Sequence, residues 1–126
     1  MPKPILVCAA DLAHLPEVRT ALEAAFIVRY VPPEPAALAD ALPDADAYYA
    51  SLQLRLTDEL LAGAPRLRAI ATPSTGLDHL DLAAAKQRHI AVLGLKDERA
   101  LLDKITATAE LAWALTLACA RRLPAA

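Results

Sequence analysis

The sequence predicts an α/β fold: a three-layer sandwich around a five-stranded parallel sheet, followed by a long apolar C-terminal helix. Three observations carry this reading. Short apolar runs alternate with helical patterns along residues 4–95. The first run, residues 4–9 (PILVCA), is apolar throughout, as in a strand covered on both faces. The tail, residues 108–120 (TAELAWALTLACA), is apolar on nearly every side, so it expects partners on more than one side.

Each element follows in order. After strand 4–9 and a turn at 11–14, Pro16 suits a first helical position, and Val18, Leu22 and Ala25 share one face of a helix ending near residue 25. Residues 26–31 (FIVRYV) are rich in β-branched and aromatic side chains and form the second strand. Pro32, Pro33 and Pro35 punctuate the chain before a short helix at 36–42, and AYYA at 47–50 is the third strand. Thr57 caps a helix whose first turn holds Asp58 and Glu59, both favourable at its positive end. Residues 67–72 make the fourth strand, Asp81 caps a helix at 82–88, and 90–95 make the fifth. A helical turn at 97–102 and a helix at 106–122 complete the chain. Right-handed crossovers over this length favour the flavodoxin-like strand order 2-1-3-4-5 over a barrel.

Composition narrows the function. Thirteen basic and 15 acidic residues leave a net charge of −2, and the basic residues cluster only at Arg121-Arg122, which reads as cations in a last helical turn. Neither nucleic acid nor an anionic membrane is an expected partner. The apolar run 111–120 is broken by Thr116 and falls short of the roughly 20 residues that span a bilayer. The N-terminus, MPKPILVCAA, lacks a small-residue cleavage site, and a cytoplasmic location is expected. Cys8 and Cys119 are expected to be reduced and buried, and the three histidines are too scattered to hold a metal. The glycines, Gly63, Gly76 and Gly94, stand too far apart for a G-x-G-x-x-G fingerprint or a Walker-type phosphate loop.

Ligands of an open parallel sheet bind beyond the carboxyl ends of its strands, so the candidate site comprises residues 11–14, 51–55, 73–79 and 96–98. The most informative stretch is 69–81 (AIATPSTGLDHLD), an apolar run that empties into a Ser-Thr-Gly turn and then an acid-flanked helical pattern. SLQLR (51–55) and PSTGLDH (73–79) follow neighbouring strands and offer backbone N–H groups and hydroxyls to an anion such as a carboxylate. Gly76 is expected at positive φ, which is compatible with a ligand contact. Asp78 beside His79 suggests a dyad, but the structural reading, Asp78 bonding loop amides, is favoured. His14 and His89 receive no role, and Glu110 reads as a first-turn charge or an interface residue. A stand-alone flavodoxin- or receiver-like module is the alternative. Asp11, Thr72 and Lys96 suit a receiver, yet the third strand ends in Ala50-Ser51 without a phosphoacceptor, and AADLAHL (9–15) lacks the glycine and hydroxyls of a flavin phosphate loop.

Residues 67–95 (LRAIATPSTGLDHLDLAAAKQRHIAVLGL) and 103–126 (DKITATAELAWALTLACARRLPAA) resemble the D-isomer-specific 2-hydroxyacid dehydrogenases, a family that includes phosphoglycerate, glycerate, D-lactate and formate dehydrogenases. The family loop reads broadly A-G-T-G-x-D-x-[IV]-D, and PSTGLDHLD stands in its place. The resemblance covers the whole chain, weakly over 1–65 and strongly afterwards. It implies hydride transfer between NAD or NADP and a small 2-hydroxy or 2-oxo acid. Thr75 and Thr108 match cofactor-binding positions, and Ser51, Leu52, Gln53, Ser74, Gly76 and Leu77 match the substrate-binding loops, with Ser74 standing where the family usually has glycine or alanine. The family's catalytic arginine and histidine–acid pair lie in a Rossmann cofactor domain, so no catalytic residue and no metal ligand is expected in this chain.

The resulting expectation is a substrate domain at 1–103 and a linker helix at 104–126 leading into a Rossmann domain outside this sequence. Such a piece is expected to be inactive alone and to hold no cofactor. Its helix 106–122 is expected either to fold back over the open face near the fifth strand or to be exchanged in a homodimer.

Overall fold

The computed structural model describes residues 1–122. Strands β1 (Ile5–Cys8), β2 (Ile27–Tyr30), β3 (Ala47–Tyr49), β4 (Ala69–Ala71) and β5 (Ala91–Leu93) form one parallel sheet in the order β2-β1-β3-β4-β5. The expected α/β fold and strand order are therefore both present. Helices α1 (Pro16–Ala25), α2 (Pro35–Ala41), α3 (Asp58–Ala62) and α4 (Leu82–Gln87) connect the strands, and α5 (Arg99–Leu102) and α6 (Ala107–Ala120) follow. The chain divides into two compact units, Met1–Lys96 and Asp97–Ala126.

Local sequence explains where the helices begin. Pro16 and Pro35 open α1 and α2, where a missing N–H costs nothing. The Thr57 hydroxyl accepts from the Leu60 N–H at 3.4 Å, and the Asp81 carboxylate accepts from the Ala84 N–H at 2.9 Å. Helix α4 ends in a Schellman motif, in which Ile90 N–H bonds the Ala85 carbonyl and His89 N–H bonds the Lys86 carbonyl. His89 takes φ 56° there, a conformation that glycine adopts without steric cost.

Register builds the core. Val7, Tyr48, Ile70 and Val92 stand opposite one another across β1, β3, β4 and β5 and point to one face. Leu38 of α2, Leu61 of α3 and Ala84 and Ala85 of α4 close over that face. Each fully buried aliphatic side chain in this layer contributes about 1.5–3 kcal/mol. The Tyr48 hydroxyl is buried without a hydrogen-bond partner among the described residues, and burial pushes its pKa up to about 12, opposed by the nearby Ser51 backbone.

The other face is covered unevenly. Right-handed crossovers in this strand order put α1 there, opposite α2–α4. Along the face, Leu6 and Cys8 are buried, Ala47, Tyr49, Ala69 and Ala71 are half-buried, and Ala91 and Leu93 are exposed, Leu93 at 59%. The expected three-layer sandwich is thus complete on one side, while on the other its outer layer within this unit is α1 alone.

Two expectations at the tail change. Helix α6 runs over Ala107–Ala120 rather than 106–122, because Arg121 becomes its C-cap and Arg122 turns to φ 53°, so neither arginine sits in the last turn. Residues 123–126 of the expected linker lie outside the described residues. Cys8 is buried, and burial pushes its thiol pKa up, but Cys119 is exposed because α6 buries none of its residues fully. No helix among the described residues is long and apolar enough to cross a membrane.

Asp46 ties the strand entries together. Its carboxylate accepts from Ile5 N–H at 2.9 Å and from Arg66 at 2.9 Å, and its backbone bonds both the Ile5 carbonyl and the Arg68 N–H. The Ile5 N–H bond and then the Arg66 guanidinium hold this carboxyl below the usual carboxylate range. A group whose pKa is depressed by folding stabilises above its unfolded value and loses that contribution as pH falls. Asp46→Asn is therefore expected to lower the urea midpoint at neutral pH, with the deficit closing in acid as the wild-type carboxyl is protonated. His89→Gly is expected to raise stability by about 0.5–1 kcal/mol in the same assay, since it relieves the left-handed strain.

Candidate functional site

The loop between β4 and α4 is anchored along both sides. On one side Thr72 N–H bonds the Leu93 carbonyl at 2.9 Å, and Leu95 N–H bonds the Ser74 carbonyl at 3.1 Å. On the other, Leu56 and Leu80 form a parallel bridge, with Leu56 N–H to the His79 carbonyl at 2.8 Å and Asp81 N–H to the Leu56 carbonyl at 3.0 Å. Leu56 is fully buried and Leu80 nearly so, which protects these bonds from water.

Gly94 permits this close approach. A Cβ there would lie 3.1 Å from Leu77 Cδ2 and 3.3 Å from the Ser74 carbonyl oxygen. Gly76 differs. Its φ is not positive, which corrects the expectation of a turn that demands glycine, and a Cβ there would meet only Asp78 Oδ2, at 3.7 Å. The loop is held in shape from its flanks, so nothing in its own backbone requires glycine at 76. What the missing side chain leaves is open space over the backbone.

That space belongs to a cleft of about 710 Å³ lined by Arg55, Thr75, Gly76, Leu77, Asp78, Leu80, Asp81, Leu82 and Lys96. Among the described residues the backbone N–H groups of Thr75, Gly76 and Leu77 donate to no protein acceptor. Among the described residues the N–H groups of Ser74, Asp78 and His79 are equally free, and this run of donors beside two cationic side chains suits an anion. Arg55 and Lys96 form no ion pair among the described residues, while Asp81 is already occupied in capping α4.

The remaining candidates are distributed differently. Ser51 is 8% exposed, and its hydroxyl accepts from Gln53 N–H at 3.2 Å. Ser51 and Gln53 line a separate cleft of about 300 Å³ with Asp11, and Leu52 is exposed and lines neither. Ser51 and Gln53 therefore open into a different cleft from Thr75–Leu77, and of the loop 51–55 only Arg55 lines the larger one, although Ala50 N–H bonds the Ala71 carbonyl just below them. Thr108 lies in α6, in the second unit, and is described apart from the cleft. Glu110 is in the first turn of α6 and accepts the Thr106 hydroxyl at 2.6 Å.

Asp78 and His79 form no dyad. His79 Nε2 lies 3.1 Å from Thr72 Oγ1, and burial pushes the imidazole pKa below its ordinary value despite the opposing charge of Asp78. The expectation that Asp78 bonds loop amides is not met among the described residues: its carboxylate accepts no hydrogen bond there, and Asp78 lines the cleft. Arg55 and Lys96 fall within the candidate ranges 51–55 and 96–98, where neither is expected to bind substrate or cofactor and Lys96 is weighed only for a receiver; their shared cleft follows from bringing the ends of β3, β4 and β5 together. Among the described residues no group of His, Cys, Asp and Glu could hold a metal ion.

Gly94→Ala is expected to displace Leu77 and Ser74, with altered amide resonances at 74–77 in a ¹H–¹⁵N spectrum. Gly76→Ala is expected to change unfolding stability by less than about 0.5 kcal/mol. A larger loss would mean that Gly76 serves the fold rather than the cleft.

Residues 5–116 match the family model described as "D-isomer specific 2-hydroxyacid dehydrogenase, catalytic domain". The chain is 36% identical over 127 aligned positions to D-3-phosphoglycerate dehydrogenase of Mycobacterium tuberculosis, covering 100% of this chain and 23% of that protein. It is 39% identical over 95 positions to glyoxylate reductase of Aeropyrum pernix, covering 75% of this chain and 27% of that one. Among solved structures it resembles D-lactate dehydrogenase of Aquifex aeolicus, complexed with NAD and lactic acid, with a TM-score of 0.61 and 28% identity over 71% of this chain and 27% of that one. The chain thus spans about a quarter of the length of these relatives.

Proposed function

Because the chain belongs to the D-isomer-specific 2-hydroxyacid dehydrogenase family, we propose that it is the substrate domain of a cytoplasmic NAD- or NADP-dependent oxidoreductase acting on a small 2-hydroxy or 2-oxo acid. The observation that carries this reading is the row of free N–H groups at Thr75, Gly76 and Leu77, exposed in a cleft beside Arg55 and Lys96. A carboxylate accepts several backbone N–H bonds at once, and the absence of a side chain at Gly76 lets it approach. In this reading Gly76 and Leu77 hold the carboxylate, with Ser51, Leu52, Gln53 and Ser74 on the substrate side of the site.

The cofactor fits this chain along one edge. Thr75 is exposed in the cleft with its N–H free and is proposed to meet the nicotinamide end; Thr108, in the second unit, is proposed as a separate cofactor-binding residue. A pyrophosphate needs a glycine-rich turn, and the three isolated glycines offer none, so the rest of the cofactor falls to a separate Rossmann domain. When bound, the nicotinamide supplies or accepts the hydride. The residues of this chain orient the acid and bear its charge. The D-lactate dehydrogenase neighbour, complexed with NAD and lactic acid, supports a nicotinamide cofactor and a small 2-hydroxy acid.

Helix α6 exposes Leu111, Trp113, Leu115 and Leu117, which at about 100° per residue fall on two opposite sides of the helix. We propose that a cofactor domain or a second copy of the chain covers it. The stand-alone receiver alternative gains nothing from the structure, since Thr72 is 5% exposed with its hydroxyl donated to Ser74.

The test is NADH or NADPH oxidation with glyoxylate, pyruvate or hydroxypyruvate. A longer protein carrying this domain is expected to turn over, and Gly76→Val in it to raise KM for the acid at least about tenfold. The 126-residue chain is expected to be inactive. Turnover by that chain alone at an enzymatic rate would overturn the proposal.

A further inference from the structure

Three side chains of the loop after β4 are joined in a directed line. Ser74 Oγ donates to the Gly76 carbonyl, and Thr72 Oγ1 donates to Ser74 Oγ at 3.4 Å. Thr72 has then given its one proton, so it accepts from His79 Nε2 at 3.1 Å. The line in this direction requires the His79 ring proton on Nε2, the tautomer that leaves Thr72 Oγ1 as acceptor. Burial pushes the His79 pKa down, which keeps the ring neutral at neutral pH, and Thr72 is shielded from water at 5% exposure.

The line ends on the carbonyl half of a peptide group whose two residues, Gly76 and Leu77, both line the cleft. The Gly76 carbonyl and the Leu77 N–H belong to a single trans peptide, so they point in opposite directions. Drawing the carbonyl towards Ser74 turns the N–H away from the loop's own hydroxyls. Leu77 lines the cleft, and among the described residues its N–H meets no acceptor. Gly76 has no side chain to brace this peptide; Leu80 N–H holds the Leu77 carbonyl on its far side at 3.0 Å, and the bond from Ser74 holds the Gly76 carbonyl.

We propose that Thr72, Ser74 and His79 are positioning residues whose hydrogen-bond line locks the Gly76–Leu77 peptide with its N–H directed at the substrate carboxylate. This deepens the carboxylate cradle proposed above and rests on it for the identity of the anion. Ser74 then acts through the backbone rather than by touching substrate, and His79 serves as an anchored donor rather than an acid or base.

The test uses the labelled 126-residue chain in solution NMR, with the Gly76 carbonyl ¹³C and Leu77 amide resonances as reporters and glyoxylate as the probe anion. Ser74→Ala and Thr72→Val are expected to shift the Gly76 carbonyl upfield, move the Leu77 amide and weaken glyoxylate binding about tenfold. Thr72→Ser keeps the hydroxyl and is expected to restore wild-type values. Ser74→Ala spectra with both reporters at their wild-type positions would overturn the lock, as would a Thr72→Val variant indistinguishable from Thr72→Ser. Should glyoxylate leave the wild-type chain unperturbed while the carbonyl still responds to Ser74→Ala, the lock stands and the carboxylate cradle falls.

Discussion

Everything that positions the cleft depends on the ladder Val7–Tyr48–Ile70–Val92, whose register across four strands is set by burial under α2, α3 and α4. A slip of one residue on any of these strands would send its apolar side chain to the opposite face, so the packed side fixes the register. Fixed register in a parallel sheet brings the strand ends level along one edge. The loops after β3, β4 and β5 therefore leave the sheet together, and Leu56, Gly94 and Leu95 come within backbone reach of the loop at 73–80.

This arrangement divides the labour between flanks and tip. The flanks carry the structural bonds, from Leu95 to Ser74 and across the Leu56–Leu80 bridge. The tip, Thr75 to Leu77, is left with donors that the fold does not consume. An anion site of this kind is pre-organised by neighbours that never touch the anion, and the 3.1 Å approach at Gly94 is the steric condition that allows it.

The sheet is finished on one face and open on part of the other. Burial fades from Leu6 and Cys8 to the 59% exposure of Leu93, while α6 exposes Leu111, Trp113, Leu115 and Leu117. Incomplete burial in both units is consistent with a chain that spans about a quarter of its relatives, in which further polypeptide is available to complete the core.

Patterns local in sequence were legible before the structure. Alternating apolar runs gave the five strands, Pro16, Thr57 and Asp81 marked helix starts, and PSTGLDHLD pointed both to the family and to the loop that lines the cleft. These depend on periodicity, capping and turn chemistry, which act over a few residues. The tertiary structure alone decided that Gly76 is not at positive φ, that Ser51 and Gln53 line a different cleft from Thr75–Leu77, that Arg55 and Lys96 share the latter, and that Cys119 is exposed. Each of those outcomes is set by which distant segments meet. A loop's sequence records which groups it can offer, whereas the pinning at Leu56, Gly94 and Leu95 determines which of them remain free.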